Sequence, residues 1–165
     1  MIPRVFPSNQ NKSHHKKGFT LIELLVTLAV LSILAAAILP MAEVAVKREK
    51  EIELRRNLRI IREAIDEYKR LADQKKIEVE SDTYGYPPNL EILVEGVEIK
   101  DKKGNKSIRK FLRRIPKDPM TNSYKWGLRS YQDKSDSMTW GEENVYDVYT
   151  TSTATALDGT KYNTW

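Results

Sequence analysis

The chain has no cysteine. That removes disulfides, thiolate metal sites and cysteine nucleophiles together, and it leaves the redox compartment unread. Histidine is nearly as scarce: His14 and His15 are the only two, and both precede the one long apolar run. Beyond them, Ser-His-Asp and Cys-His nucleophile systems and most zinc sites lack a member. Carboxylate pairs such as Glu142-Glu143 remain, and a glycosidase needs only two acids, but nothing sets that pair apart from a solvated loop. No enzyme activity is expected.

Glycine and proline are missing from one long stretch. Between Phe19 and Tyr84 there is no glycine, and Pro40 is the only proline. Little there would stop a helix once begun, and Pro40 would kink it rather than end it, because proline loses one backbone bond and crowds the preceding turn. A large excess of one charge sign is missing too. The net charge is +5, yet residues 1–18 hold four bases (Arg4, Lys12, Lys16, Lys17) and no acid, leaving 24 bases against 23 acids in the rest. The basic balance is largely a property of the first residues and gives no reason to expect a nucleic-acid partner.

What is present begins with an apolar run. Residues 24–42 carry no charge, and only Thr27 and Ser32 are polar; about 20 such residues span a bilayer as a helix. Past Glu43 the composition becomes charged, but Leu54, Leu58, Ile61, Ile65, Tyr68 and Ala72 recur at spacings of three and four, one apolar stripe on a helix against which a small domain packs. Glu51 with Arg55, Arg59 with Glu63 and Asp66 with Arg70 are opposite charges at i, i+4, pairs worth about 0.2 to 0.5 kcal/mol each. The helix is expected from Thr20 to Lys75.

Six of the seven glycines lie beyond residue 84, so the punctuation changes there. "YGYPPNLEILVEG" reads as a loop, a short helix after Asn89 and a stop at Gly96. "VEIKDKKGNKSIRKF" reads as two extended pieces about a Lys103-Gly104-Asn105 turn. An aromatic strand is expected over residues 124–131, and another in "NVYDVYTTS", where Val145, Asp147 and Tyr149 alternate with Tyr146, Val148 and Thr150. Together these give an α+β fold, a long amino-terminal helix packed by one small antiparallel sheet. Trp126, Trp140, Trp165 and the tyrosines are expected in its core rather than on a carbohydrate or nucleic-acid platform.

One residue disturbs the apolar run. Glu23 stands at its head, in "KKGFTLIELLV", where a carboxylate deep in lipid costs about 2.5 to 3.5 kcal/mol on insertion scales and asks for a partner. Two readings compete. In a secretory signal peptide, Ala35-Ala36-Ala37 would be the cleavage site, and a soluble binding domain would begin near residue 38. Against this, the run continues past the alanines, holds an acid and follows a glycine. In the other reading the apolar helix stays in the mature chain.

Lys16-Lys17-Gly18 followed by Phe19-Thr20-Leu21-Ile22-Glu23-Leu24-Leu25-Val26 resembles the processing motif of the type IV pilin and type II secretion pseudopilin superfamily. The resemblance implies that a prepilin peptidase removes residues 1–18 by cutting between Gly18 and Phe19, and methylates the new Phe19 amine. It implies that residues 19–42 serve as membrane anchor and assembly half of the helix, 43–76 as its amphipathic periplasmic half, and 77–165 as a small globular domain. The basic Lys12, Lys16 and Lys17 fit a cytoplasmic start. Glu23 would then find its partner in the Phe19 amine of a neighbouring subunit. His14 and His15 fall in the removed segment.

The missing cysteine argues against adhesive pilins that close a loop with a disulfide. "YGYPP", residues 111–126 and residues 146–151 instead resemble the major pseudopilin of the type II secretion system. That resemblance implies a bacterial inner-membrane subunit that polymerises into a short helical filament driving protein export. Its partners would be copies of itself, minor pseudopilins, an inner-membrane platform, a cytoplasmic ATPase and, before assembly, lipid. A type IV pilus subunit and a secreted binding domain are the alternatives. The family's carboxylate-rich calcium loop is reduced here to Asp158-Gly159. Calcium takes six to eight oxygens, so Asp158 would need carbonyls, threonine hydroxyls and Asp147 beside it; an Asp-Gly turn explains the pair otherwise.

Overall fold

The computed structural model describes residues 18–80, 82–100 and 106–165. The basic leader up to Lys17 and the Lys103-Gly104-Asn105 turn lie outside them. Contacts divide the chain into two compact units, Met1–Met41 and Ala42–Trp165. Helix α1 spans Leu21–Asp73 and contributes to both, with Pro40 inside it.

In the first unit every described side chain is exposed, Phe19, Leu21, Ile33 and Met41 among the most open. Among the described residues, α1 is the one helix long and apolar enough to cross a membrane.

In the second unit α1 supplies the spine of the core. Leu54, Leu58, Ile61, Ile65, Tyr68 and Ala72 are all buried, as their spacing predicts, and Leu54, Ile61 and Ile65 are fully so. The helix ends two residues before the expected Lys75. Lys75 takes a left-handed φ of 55°, its N–H donates to Ala72 O (2.8 Å) and the Lys76 N–H reaches Leu71 O (3.0 Å). These bonds form a Schellman closure, made here without the usual glycine.

A short helix, α2 (Glu91–Glu95), follows the proline-rich loop. Asn89 Oδ1 accepts the Ile92 N–H at 3.0 Å and holds its first turn. Gly96 ends it at φ 91°, where a Cβ would lie 2.7 Å from Arg109 O. Leu93 O then accepts from both Phe111 N and Leu112 N (2.9 and 2.8 Å), tying α2 to the segment beyond the first hairpin. That hairpin is β1 (Val97–Lys100) antiparallel to β2 (Lys106–Arg109), as the sequence suggests.

The small antiparallel part is, among the described residues, divided into two two-stranded sheets. β3 (Gly127–Arg129) pairs with β4 (Asp147–Tyr149) in a second antiparallel sheet of its own. The aromatic strand over 124–131 shrinks to three residues because a turn consumes its start: Asn122 is left-handed at φ 57°, and Asp118 N donates to Ser123 O (2.8 Å). The second strand loses its alternation because Val148, Tyr149 and Thr150 are all buried. Tyr149 lies over its partner strand, so a Cβ at Gly127 would meet the ring at 2.3 Å and the Arg129 guanidinium carbon sits 4.2 Å from its centroid.

The loop holding Asp118 is one polar part of this core. Asp118 is fully buried; its Oδ1 accepts the Met120 N–H (2.8 Å), and its Oδ2 accepts the hydroxyls of Thr121 (2.9 Å) and Thr150 (2.5 Å). Trp126 is buried and donates Nε1–H to Pro116 O (2.9 Å), while Trp140 and Trp165 are half-buried. The tyrosines do not all follow: Tyr84, Tyr131 and Tyr146 are about half exposed, against the core expectation.

Candidate functional site

Gly18, Phe19 and Thr20 precede the first helical residue, Leu21. Thr20 caps α1: its Oγ1 accepts the Glu23 N–H (3.2 Å), and its carbonyl accepts the Leu24 N–H (3.1 Å). Thr-x-x-Glu is the sequence pattern of a capping box, and an acid in the first turn complements the helix dipole. The sequence reading missed this, although the threonine three residues before the glutamate at the head of an apolar run was the available signal.

The two other polar side chains of the run satisfy themselves. Thr27 Oγ1 donates to Leu24 O (2.9 Å) and Ser32 Oγ to Leu28 O (2.7 Å), so neither brings an unmet hydroxyl into lipid. Glu23 is different. Among the described residues no donor or cation meets its carboxylate, and it stands exposed amid Ile22, Leu24 and Val26.

In the second unit α1 holds the carboxy-terminal segment through charges that sequence spacing assigned elsewhere. Glu51 Oε1 accepts both the Leu157 N–H and the Tyr162 hydroxyl, each at 2.8 Å. Arg55 meets Asp158 at 3.4 Å and stacks 4.1 Å from the Trp165 ring. Arg62 donates to Asp147 Oδ1 (2.7 Å), Val148 O (3.1 Å) and Trp165 O (3.0 Å). The expected i, i+4 pairs of Glu51 with Arg55, Arg59 with Glu63 and Asp66 with Arg70 are therefore not the ion pairs formed. Where α1 pairs within itself, Lys69 takes Asp73 and Arg70 takes Glu67.

Asp158 is arranged as a turn residue. Its Oδ1 accepts the N–H and hydroxyl of Thr160 (2.9 and 2.6 Å), and Gly159 follows at φ 87°. The Thr160 hydroxyl, then its backbone N–H, hold the Asp158 carboxyl below its usual pKa, with Arg55 adding to them. Among the described residues no group of three or more histidine or carboxylate side chains is placed to hold a metal.

Tyr162 is nearly fully buried, and burial, then the hydrogen bond to Glu51, push its hydroxyl up from 10.0 to about 12. The folded state favours the protonated phenol, so this contribution is complete below about pH 10 and is lost as pH rises through about 12. Alkaline titration of the full chain, followed by circular dichroism, should show destabilisation across that window. Tyr162→Phe should flatten that part of the profile while lowering stability at neutral pH.

Residues 13–39, 27 of the chain's 165, match the family described as the prokaryotic N-terminal methylation motif. No curated protein and no solved structure matches the chain. The matched stretch covers Gly18, Phe19, Glu23 and most of the apolar run. A type IV pilin-like prepilin signal is therefore present, it sits on an α+β, pilin-like arrangement of long helix and small antiparallel sheets, and motif and apolar helix together fit a protein anchored in an inner membrane.

Proposed function

We propose that the chain is a structural subunit of a type II secretion pseudopilus. A prepilin peptidase cuts it after Gly18 and methylates Phe19, and it then polymerises from the inner membrane with its second unit in the periplasm. The observation that carries this reading is the methylation motif joined to Glu23, a carboxylate without a partner among the described residues, in an exposed apolar helix. In lipid that acid is costly. Beside a second copy it can pair with the Phe19 amine while Leu, Ile and Val side chains pack, so assembly relieves a strain that a monomer keeps. Pairing of this kind sets register more than affinity.

The motif supports a pilin-like subunit in general. The secretion assignment rests on the likeness of the globular segments and on the missing cysteine. In this reading minor pseudopilins, a membrane platform and a cytoplasmic ATPase supply initiation and work, and the subunit supplies geometry. Deleting the gene in its native host tests the assignment: exported enzymes should accumulate in the periplasm while surface pili and DNA uptake stay intact. Normal export with loss of pili would make it a pilus subunit instead.

A further inference from the structure

The second unit carries two chemically different faces on the two flanks of the buried stripe of α1, one aromatic with acids and bases mixed beside it (Arg62, Asp66, Lys134 and Asp147 share a hollow with Tyr146) and one basic. On one flank Tyr84, Tyr86, Tyr131 and Tyr146 form a continuous cluster. Tyr86 and Tyr131 stack at 5.7 Å, Tyr146 meets them edge-on at 5.2 and 5.5 Å, and Tyr84 lies 5.5 Å from Tyr131. Three of the four rings are about half exposed. Asp66 and Asp73 of α1 are close enough to raise the Tyr86 pKa, after burial and the neighbouring tyrosines. Lys69 pairs with Asp73 and lies 5.5 Å over Tyr86, and Asp66 is exposed without an ion-pair partner among the described residues. Ring faces and carboxylates alike attract cations.

On the other flank Arg56 and Ile60 of α1 border a groove of about 460 Å³ closed by Phe111, Arg113 and Arg114. Among the described residues no acidic side chain lines it. Arg56, Arg113 and Arg114 are all exposed, and none has an ion pair among the described residues. At 3.6 residues per turn, Asp66 and Asp73 fall on one side of the Leu58–Ile61–Ile65 stripe and Arg56 and Ile60 on the other.

We propose that the tyrosine face of one copy docks in the arginine groove of the next. The guanidinium groups would lie on tyrosine rings and against Asp66, over an apolar floor of Ile60 and Phe111. Guanidinium suits both partners, since its planar face stacks on rings and its edge donates to carboxylates. Two different faces of one chain form a heterologous contact, which propagates from copy to copy instead of closing as a dimer. The inference rests on the filament reading above and names the surface by which the periplasmic parts meet.

The chain's lack of cysteine makes the test clean. Full-length Asp66→Cys and Arg113→Cys chains are co-expressed in the native host, and its membranes are treated with a short bismaleimide. The mixture should yield a cross-linked dimer that neither chain gives alone, and a chain carrying both cysteines should yield a ladder. Adding Arg56→Glu and Arg114→Glu to the Arg113→Cys chain should lower the dimer about tenfold, because the guanidinium groups that stack on the tyrosine rings are lost. Dimers from one cysteine alone, adducts only to other proteins, or no adduct would overturn the proposal. Sheared filaments sedimented from the same cells separate the two failures: filaments without the mixed dimer reject this contact, and no filaments from the native chain reject the subunit reading.

Discussion

Glu23→Val should leave cleavage and membrane insertion intact and abolish ordered assembly. Insertion should improve, since the change removes a carboxylate costing about 2.5 to 3.5 kcal/mol in lipid. Cleavage should persist because Gly18 and Phe19 are untouched. Assembly should fail because the charge proposed to set one copy against the next is gone. Helix capping is the rival explanation, since Glu23 is the third helical residue after Thr20, the position from which a glutamate can reach back to the Thr20 N–H, although here only the Glu23 N–H to Thr20 Oγ1 half of that box is made. Glu23→Gln separates the two. Glutamine serves a capping box as glutamate does but carries no charge, so Gln should fail like Val if pairing matters and assemble normally if capping does. Sheared filaments and a blot for the processed chain read both outcomes.

Asp118→Ala should be among the most damaging polar changes in the second unit. The carboxylate is fully buried and accepts three hydrogen bonds, from Met120 N, Thr121 Oγ1 and Thr150 Oγ1. Alanine leaves the buried Thr150 hydroxyl and the turn's N–H without acceptors and opens a void beside β4, together costing about 3 kcal/mol. Against a total stability of roughly 5 to 15 kcal/mol that is a large fraction, and Tm should fall by roughly 10 °C. Asp118→Asn should cost less, because its amide oxygen can keep one acceptor position and the hydroxyls can turn to accept. Thermal unfolding of the full chain in detergent measures both; equal melting temperatures for Ala and native would show that the network contributes little.

The helix was readable because its signals are local: a glycine-free stretch, a period of three and four, and a run with one acid. α2 and the first hairpin announced themselves through Asn89, Gly96 and turn residues. Most of the misreadings share a cause, which is that partners distant in sequence outcompete near ones; Arg70, which takes Glu67 in place of Asp66, is the exception. Glu51 turns from Arg55 to Leu157 and Tyr162, because an exposed i, i+4 pair is worth only a few tenths of a kcal/mol and a half-buried acid gains more from two hydrogen bonds. The strand expected over 124–131 gave way to the turn that Asp118 anchors from outside it. Tyr84 and Tyr86 meet Tyr131 and Tyr146 across a sequence gap that no periodicity spans. At the amino terminus the prepilin-type signal could be read from residue order alone, because it is a short linear motif.

The proposed filament role depends first on where the mature chain begins and what its first amine carries. Mass spectrometry of the native protein's amino-terminal peptide reads both at once. The expected peptide starts at Phe19, bears one added methyl group on its amine and continues Thr-Leu-Ile-Glu. A peptide beginning near residue 38, or one still carrying residues 1–18, would contradict the account at its root.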